Sequence, residues 1–417
     1  MGPAARRVQR TYLALALGNT LATSFIWGVN TLFLLDAGLT NLEAFAANAF
    51  FTLGMVVFEI PTGVVADTAG RRTSFLLGTV VLAATTAGYV GLWWLHAPFW
   101  AWALVSVGLG LGYTFFSGAT EAWLVDAMRA TGHTASLEPV FGRAQVVGGL
   151  GMLVGSVAGG VVAQATSLGV PFVMRVVVLL VMAAVAAVWM HDLGFTPERG
   201  LSATVAVRRI VSASVQHGLA RPAVRWLMVA GAFLQGVGIY AFYAAQPYLL
   251  DLYGDRGAYA VAGLAAALVA CSQMVGGALA GPVRRAVRRR TTVLLVAAGL
   301  GALTLLALGL AGRFWAAVVL IACWGVVSAT AAPVRQAYLN DLIPSGQRAT
   351  VLSFDSVMAS LGGVGAQPAL GRVADLRGYG VSLVVGGAVQ LLALPFLLAS
   401  RRSAGGADEA TTLPRVR

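Results

Sequence analysis

The sequence predicts an all-α membrane protein that crosses the bilayer many times. Of its 417 residues, 58% are hydrophobic and only 11% are charged, with a mean hydropathy of +0.81. No soluble globular domain of this length shows that balance. Apolar runs recur from one end to the other, and a helix needs roughly 20 such residues to cross the hydrocarbon core. The arginines sit at the ends of these runs rather than on one basic face. The net charge of +12 therefore marks membrane edges and not a nucleic-acid partner.

Taken in order, the first span lies near 12–35, behind Arg6, Arg7 and Arg10. It is longer than a signal-peptide core and has no obvious cleavage site, so it reads as a retained helix. Spans two to six lie near 43–65, 74–95, 98–127, 139–164 and 170–190. Spans seven to twelve lie near 226–250, 258–282, 291–311, 314–341, 350–373 and 379–400. The expected organisation is a six-helix half over 1–191, a cytoplasmic linker over 192–225, a second six-helix half over 226–400 and a disordered polar tail over 401–417. Within the linker, Ala203 to Leu219 mixes apolar residues with Arg208, Arg209 and His217. It reads either as an amphipathic surface helix or as a solvated connection. Arg175 in the sixth span is expected to snorkel to the outer interface.

Charge placement sets the orientation. Arg71, Arg72, Arg129, Arg208, Arg209, Arg348, Arg401, Arg402 and the cluster from Arg284 to Arg290 all fall on the side of the N-terminus. The opposite side keeps few, among them Arg256, Arg313 and Arg377. Both termini are then cytoplasmic, in a multi-pass protein of the cell (inner) membrane. Cys271 and Cys323 lie inside apolar segments, which speaks against a disulfide framework or a cysteine-based zinc site.

One polar stretch stands out between the second and third spans. Gly63 to Arg72 reads GVVADTAGRR. Gly63 lets helices approach closely, Gly70 permits a tight turn, and Asp67 can accept hydrogen bonds from a helix N-terminus. The order G-x-x-x-D-x-x-G-R-R resembles the signature between helices 2 and 3 of the major facilitator superfamily of transporters. EIPTG, from Glu59 to Gly63, also resembles bacterial members. The resemblance implies twelve transmembrane helices in two parallel six-helix repeats, with a substrate site between them. It also implies that Gly63, Asp67, Gly70, Arg71 and Arg72, together with Asp126, form a latch between moving halves.

The halves themselves look like repeats. The fourth span ends in EAWLVDAM (Glu121 to Met128), the tenth in QAYLNDLI (Gln336 to Ile343). Past the next loop, Arg143-Ala144 matches Arg348-Ala349. The second copy of the latch is worn, with Gly281 about where Asp67 should recur. In the fifth span, Gly151, Gly155, Gly159 and Gly160 form G-x-x-x-G-S-x-x-G-G, similar to a glycine motif of the superfamily's drug:proton antiporters but with Ser156 in place of a proline. Small residues at this spacing let helices pack closely in any case.

Acids inside spans need an account. Glu59 lies about 12 Å deeper than Asp67, and Glu121 about 7–8 Å deeper than Asp126. Either Glu121 and Glu59 carry protons, or Glu121 and Asp126 pair with Arg143 or Arg71 as a fixed charge cluster. Asp355, early in the eleventh span, reads as a gate or a cap. The polar and aromatic faces of helices 1, 4, 7 and 10 would line a cavity, as those helices do in the superfamily. They offer Asn19, Trp27, Asn30, Tyr113, Phe116, Gln235, Tyr240, Tyr243, Gln246, Trp324 and Arg335. For each of these, interhelical packing is the alternative.

No metal-ligand cluster, phosphate loop or nucleophile-base pair is visible, so no cofactor, metal or enzymatic activity is expected. The function expected is secondary transport of a small molecule by a monomer in the lipid bilayer, by proton-coupled efflux. Proton-coupled uptake is the alternative within transport. A non-transporting sensor or scaffold on the same fold is the rival of another class.

Overall fold

The computed structural model describes residues 2–133, 135–197, 219–343, 348–404 and 408. Every regular element among them is an α-helix. The first eight are α1 (Pro3–Trp27), α2 (Asn30–Asp36), α3 (Asn41–Ala69), α4 (Arg71–Leu95), α5 (Phe99–Thr114), α6 (Ala119–Ala130), α7 (Glu138–Ala165) and α8 (Val170–Trp189). Six follow: α9 (Pro222–Tyr253), α10 (Tyr259–Ala286), α11 (Arg290–Gly309), α12 (Phe314–Leu342), α13 (Arg348–Leu391) and α14 (Ala393–Ser403).

Nine of these segments, counting α5 with α6, are single spans by length and apolarity. The pair α1 and α2, bent by 47°, makes a tenth. The 53-residue run Val351–Ser403 is about 80 Å long as helix, more than twice the hydrocarbon thickness. It breaks at Gly378, whose φ of 81° and ψ of 167° turn the chain, and so holds two spans. With that run divided in two, the described residues hold twelve spans, the number the apolar runs predict.

Two compact units emerge, one holding α1–α8 with Tyr253–Ala267 and the other the rest of the second half. The division thus departs from a clean cut at 192–225. The start of α10 joins the first unit because Gly263 meets the backbone of Gly160, and a Cβ on Gly28 would lie 2.7 Å from the Gly263 Cα. The linker segment 203–218, with Arg208, Arg209 and His217, lies outside the described residues.

Within the first unit α1 packs on α7 and α8, α3 on α5, and α4 on α5 and α8. Its core is aromatic. Phe33 stacks on Phe172 at 4.0 Å between centroids, and Trp102 meets both Phe33 and Tyr89 edge-on. The Tyr89 hydroxyl is satisfied by Ser106 at 2.6 Å. In the second unit α11 repeats the role of α4, packing on α12 and on α13 and α14. Leu227, Met228, Leu294, Tyr338 and Leu397 form the core there.

The expected disordered tail is corrected at two points. Arg401 to Ser403 belong to α14, and Asp408 is buried. The other residues beyond Ala404 lie outside the described ones. Arg175 is also corrected: only 7% of it is exposed, so its guanidinium is turned into the first unit rather than out to an interface.

Candidate functional site

The stretch from Gly63 to Arg72, expected to lie between two spans, is almost entirely helical and continues both of them. The helices on either side run 29 and 25 residues, longer than the hydrocarbon core requires. Gly70 alone makes the turn, at φ 105° and ψ 151°. Arg71 pairs with Asp67 one helical turn back and lies 5.8 Å from the centre of the Phe195 ring. Arg72 donates through its side chain to the Ala187 carbonyl at 2.6 Å.

An acid that sequence reasoning missed completes this end. Asp192, just after α8, accepts the Arg72 backbone N–H at 2.9 Å. Its carboxylate fills the space that a Cβ on Gly70 would take. The second unit repeats the device at the second residue of α11. Asp408 accepts the Thr291 backbone N–H at 2.9 Å and the Thr291 hydroxyl at 2.5 Å. Where the second copy has Gly281 in place of an acid, Arg284 closes the turn instead, donating to the carbonyls of Val287 and Arg288.

Asp126 does not join Arg71, whose carboxylate partner is Asp67. Neither Asp126 nor Glu121 forms an ion pair among the described residues, so the fixed charge cluster is not formed there. The repeat counterpart of Asp126 behaves differently, since Asp341 pairs with Arg290 at 2.6 Å.

The fourth span is broken, which its composition does not announce. α5 ends at Thr114 and α6 begins at Ala119, after Gly118 in the left-handed region at φ 68°. Two carboxylates are set by this break. Ser117 donates to Glu59 at 2.6 Å, tying α3 to the break. Glu121 falls in the first turn of α6, where backbone N–H groups favour a carboxylate, and it is exposed.

The candidate cavity residues divide. Asn19, Trp27, Tyr113 and Tyr243 are half-buried and Gln235 is exposed. Tyr113 also meets Phe51 edge-on. Three others are taken by packing. Asn30 is buried and donates to Asn48 at 2.9 Å, Phe116 packs edge-on against Phe75, and Tyr240 donates to Ser382 at 2.6 Å. Gln246 and Trp324 are buried as well. A residue's position on a helix face tells which neighbours it can meet, but it does not tell solvent from a second helix.

Arg335 is the charged member of the set, and Asp355 its partner. Nη1 and Nη2 of Arg335 each donate to one Asp355 oxygen at 2.7 Å, and Nη2 also donates to the Leu227 carbonyl at 3.3 Å. Asp355 is therefore neither a gate residue facing open water nor a helix cap. It is 6% exposed and held by a guanidinium.

The glycine run of α7 lies on α1. A Cβ on Gly159 would strike the Phe25 carbonyl, and one on Gly155 the Ser24 hydroxyl, which itself donates to the Gly151 carbonyl at 3.2 Å. Gly160 faces the backbone of Tyr259 and Gly263. Among the described residues, no group of three His, Cys, Asp or Glu side chains is placed to hold a metal.

Apolar spans from end to end and two all-helical units of like packing among the described residues define a polytopic membrane protein. The family model of the Major Facilitator Superfamily matches residues 12–367 and 257–413, and the chain belongs to that superfamily. No curated protein matches the sequence. Solved structures of the same fold include the nucleoside transporter NupG, 10% identical, with a TM-score of 0.78 over 96% of this chain and 100% of that one. A bacterial homolog of the human lysosomal transporter Spinster is 17% identical, with a TM-score of 0.71 over 99% and 100%. A D-xylose-proton symporter is 17% identical, with a TM-score of 0.67 over 94% and 96%. The protein is thus a multi-pass membrane transporter rather than an enzyme, and its cargo is a small molecule.

Proposed function

We propose that the chain exports a small molecule across the cell membrane in exchange for protons, by alternating access. Glu121 is the principal coupling acid and Glu59 its auxiliary. The observation that carries the reading is the break in the fourth span. It leaves the Glu121 carboxylate exposed and free of any ion pair among the described residues, at the start of a half-helix within a transmembrane segment. An intramembrane acid in that position ionises when water reaches it and takes a proton when the site closes and desolvates it. Glu59, already hydrogen-bonded by Ser117, is the less free of the two. The arginine bias supports cytoplasmic termini, and the glycine run supports exchange as the direction. The Asp67–Arg71 turn serves as the latch in this scheme.

A stabilisation screen tests the reading. Purified protein is melted against a library of small cations, neutral polar molecules and anions, alongside Glu121→Gln. A hit on wild type should persist in Glu121→Gln, because that variant removes the proton and not the pocket. Its affinity for wild type should depend on pH, and for the variant should not. A hit with the same pH dependence in both proteins contradicts Glu121 as the coupling acid.

A further inference from the structure

Arg6, Arg7 and Arg10 precede the first apolar run, and arginines at the edge of a span need no partner beyond water and headgroups. Arg7 differs from a plain edge charge because it lines a cavity. Three helices of the first unit come together there: the start of α1, the end of α6 and the end of α8. The space they enclose is about 370 Å³, within the range of small-ligand sites. Trp123 of α6 is a buried part of its lining, and the indole donates to the His191 carbonyl at 2.8 Å. That bond pins the chain beyond α8 against α6. It brings His191 and Leu193 into the same lining as Arg7 and Val8 of α1.

The lining carries one sign of charge. Arg7 is exposed, and its guanidinium makes no hydrogen bond or ion pair among the described residues. The His191 ring brings at least one N–H donor. No described carboxylate lines the cavity, and α1 has no acid in its first turn. The acid nearest in sequence, Asp192, is engaged by the Arg72 backbone N–H. Arg72, which reaches the Ala187 carbonyl, and Arg129, two residues before Thr131 on the lining, add positive charge at the same end.

The apolar side of the site faces the bilayer. Trp189 belongs to the lining and is exposed, as an aromatic ring at headgroup level is. From it an exposed row, Val188, Val181 and Val177, follows one face of α8. Val188 to Val177 covers about 16 Å of helix, close to half the hydrocarbon thickness of about 30 Å. A cation at the head of an apolar track one leaflet long suits an amphiphile with an anionic head, not a free anion.

We infer that this cavity is a binding site for an anionic phospholipid of the leaflet at the N-terminal end. The phosphate diester takes parallel N–H bonds from the Arg7 guanidinium, the pairing in which arginine binds phosphate most strongly. The His191 ring donates beside it. The glycerol region lies against Trp189 and Leu193, and one acyl chain follows the α8 row. The site lies within one unit and needs only that the chain spans a bilayer. It depends neither on the direction of transport nor on Glu121.

The test uses the purified full-length protein in a neutral detergent, with dioctanoyl phosphatidylglycerol as the probe. Dioctanoylglycerol supplies the chains without phosphate, and glycerol phosphate supplies the phosphate without chains. Dioctanoyl phosphatidylcholine keeps both but is neutral overall. The probe should stabilise the protein saturably in thermal melts. Dioctanoylglycerol should bind about tenfold more weakly or worse, the worth of a charge-assisted hydrogen bond. Glycerol phosphate should have no effect, and phosphatidylcholine should bind more weakly than the probe because its ammonium meets the same arginines. Arg7→Gln should weaken the probe about tenfold. Arg285→Gln, at an exposed arginine ending α10 in the other unit, should leave it unchanged. Both arginines are exposed, so neither substitution disturbs the core. A photoreactive phosphatidylglycerol in nanodiscs should label segments 3–8 and 189–193, and unlabelled probe should compete for that labelling. The inference is overturned if any of the three controls stabilises as well as the probe, or if Arg7→Gln binds it as wild type does. It is equally overturned if Arg285→Gln loses as much as Arg7→Gln, or if the competed labelling falls elsewhere.

Discussion

At the scale of single residues, close packing rests on a few backbone contacts that a methyl group would destroy. Gly159 is the clearest, because its missing Cβ is replaced by a backbone carbonyl of α1, which cannot rotate away. Gly159→Ala should cost about 1–3 kcal/mol through overpacking and lower the melting temperature accordingly. Gly277, in α10, has nothing within 4 Å of its would-be Cβ. Gly277→Ala should therefore be neutral or stabilise by up to about 1 kcal/mol, since alanine is the better helix former. Thermal melts of the two variants beside wild type check this. Equal melts would mean that the α1–α7 contact contributes nothing to stability.

At the scale of elements, much was legible in the sequence and some was not, for physical reasons. Long apolar runs bounded by arginine place spans well, because the bilayer imposes one length on all of them. The turn at Gly70 was legible because glycine and paired arginines are punctuation. The break before α6 was not, because Phe115 to Gly118 carries no proline and only one glycine. Asp192 and Asp408 were invisible as caps because each acts on a helix about 120 residues earlier, and sequence spacing carries no information about such a contact. Asp355 was noticed, but its partner twenty residues back on another helix was not.

The twin caps also yield a prediction. Each carboxylate satisfies a backbone donor that the helix itself leaves open, and such a charged hydrogen bond is worth about 1–3 kcal/mol. Asp192→Ala should raise hydrogen exchange in the first turn of α4, and Asp408→Ala should do the same for α11. Unchanged exchange in both first turns would show that other groups, or water, cap these helices equally well.

At the scale of the whole molecule, the repeats are alike in packing and unlike in charge. The first half keeps an acid and an arginine at its turn and two acids near its broken span. The second half has lost the turn acid and holds a bound Arg335–Asp355 pair. On the reading proposed, the first half handles the protons. The most direct measurement of this is proton flux in proteoliposomes loaded with a pH-sensitive dye. Any compound that stabilises the purified protein is added to wild type, Glu121→Gln and Glu59→Gln. The account predicts compound-dependent proton movement in wild type, a lesser flux in Glu59→Gln, and none in Glu121→Gln, which still exchanges labelled for unlabelled compound. Proton movement in Glu121→Gln at the wild-type ratio to compound would contradict it.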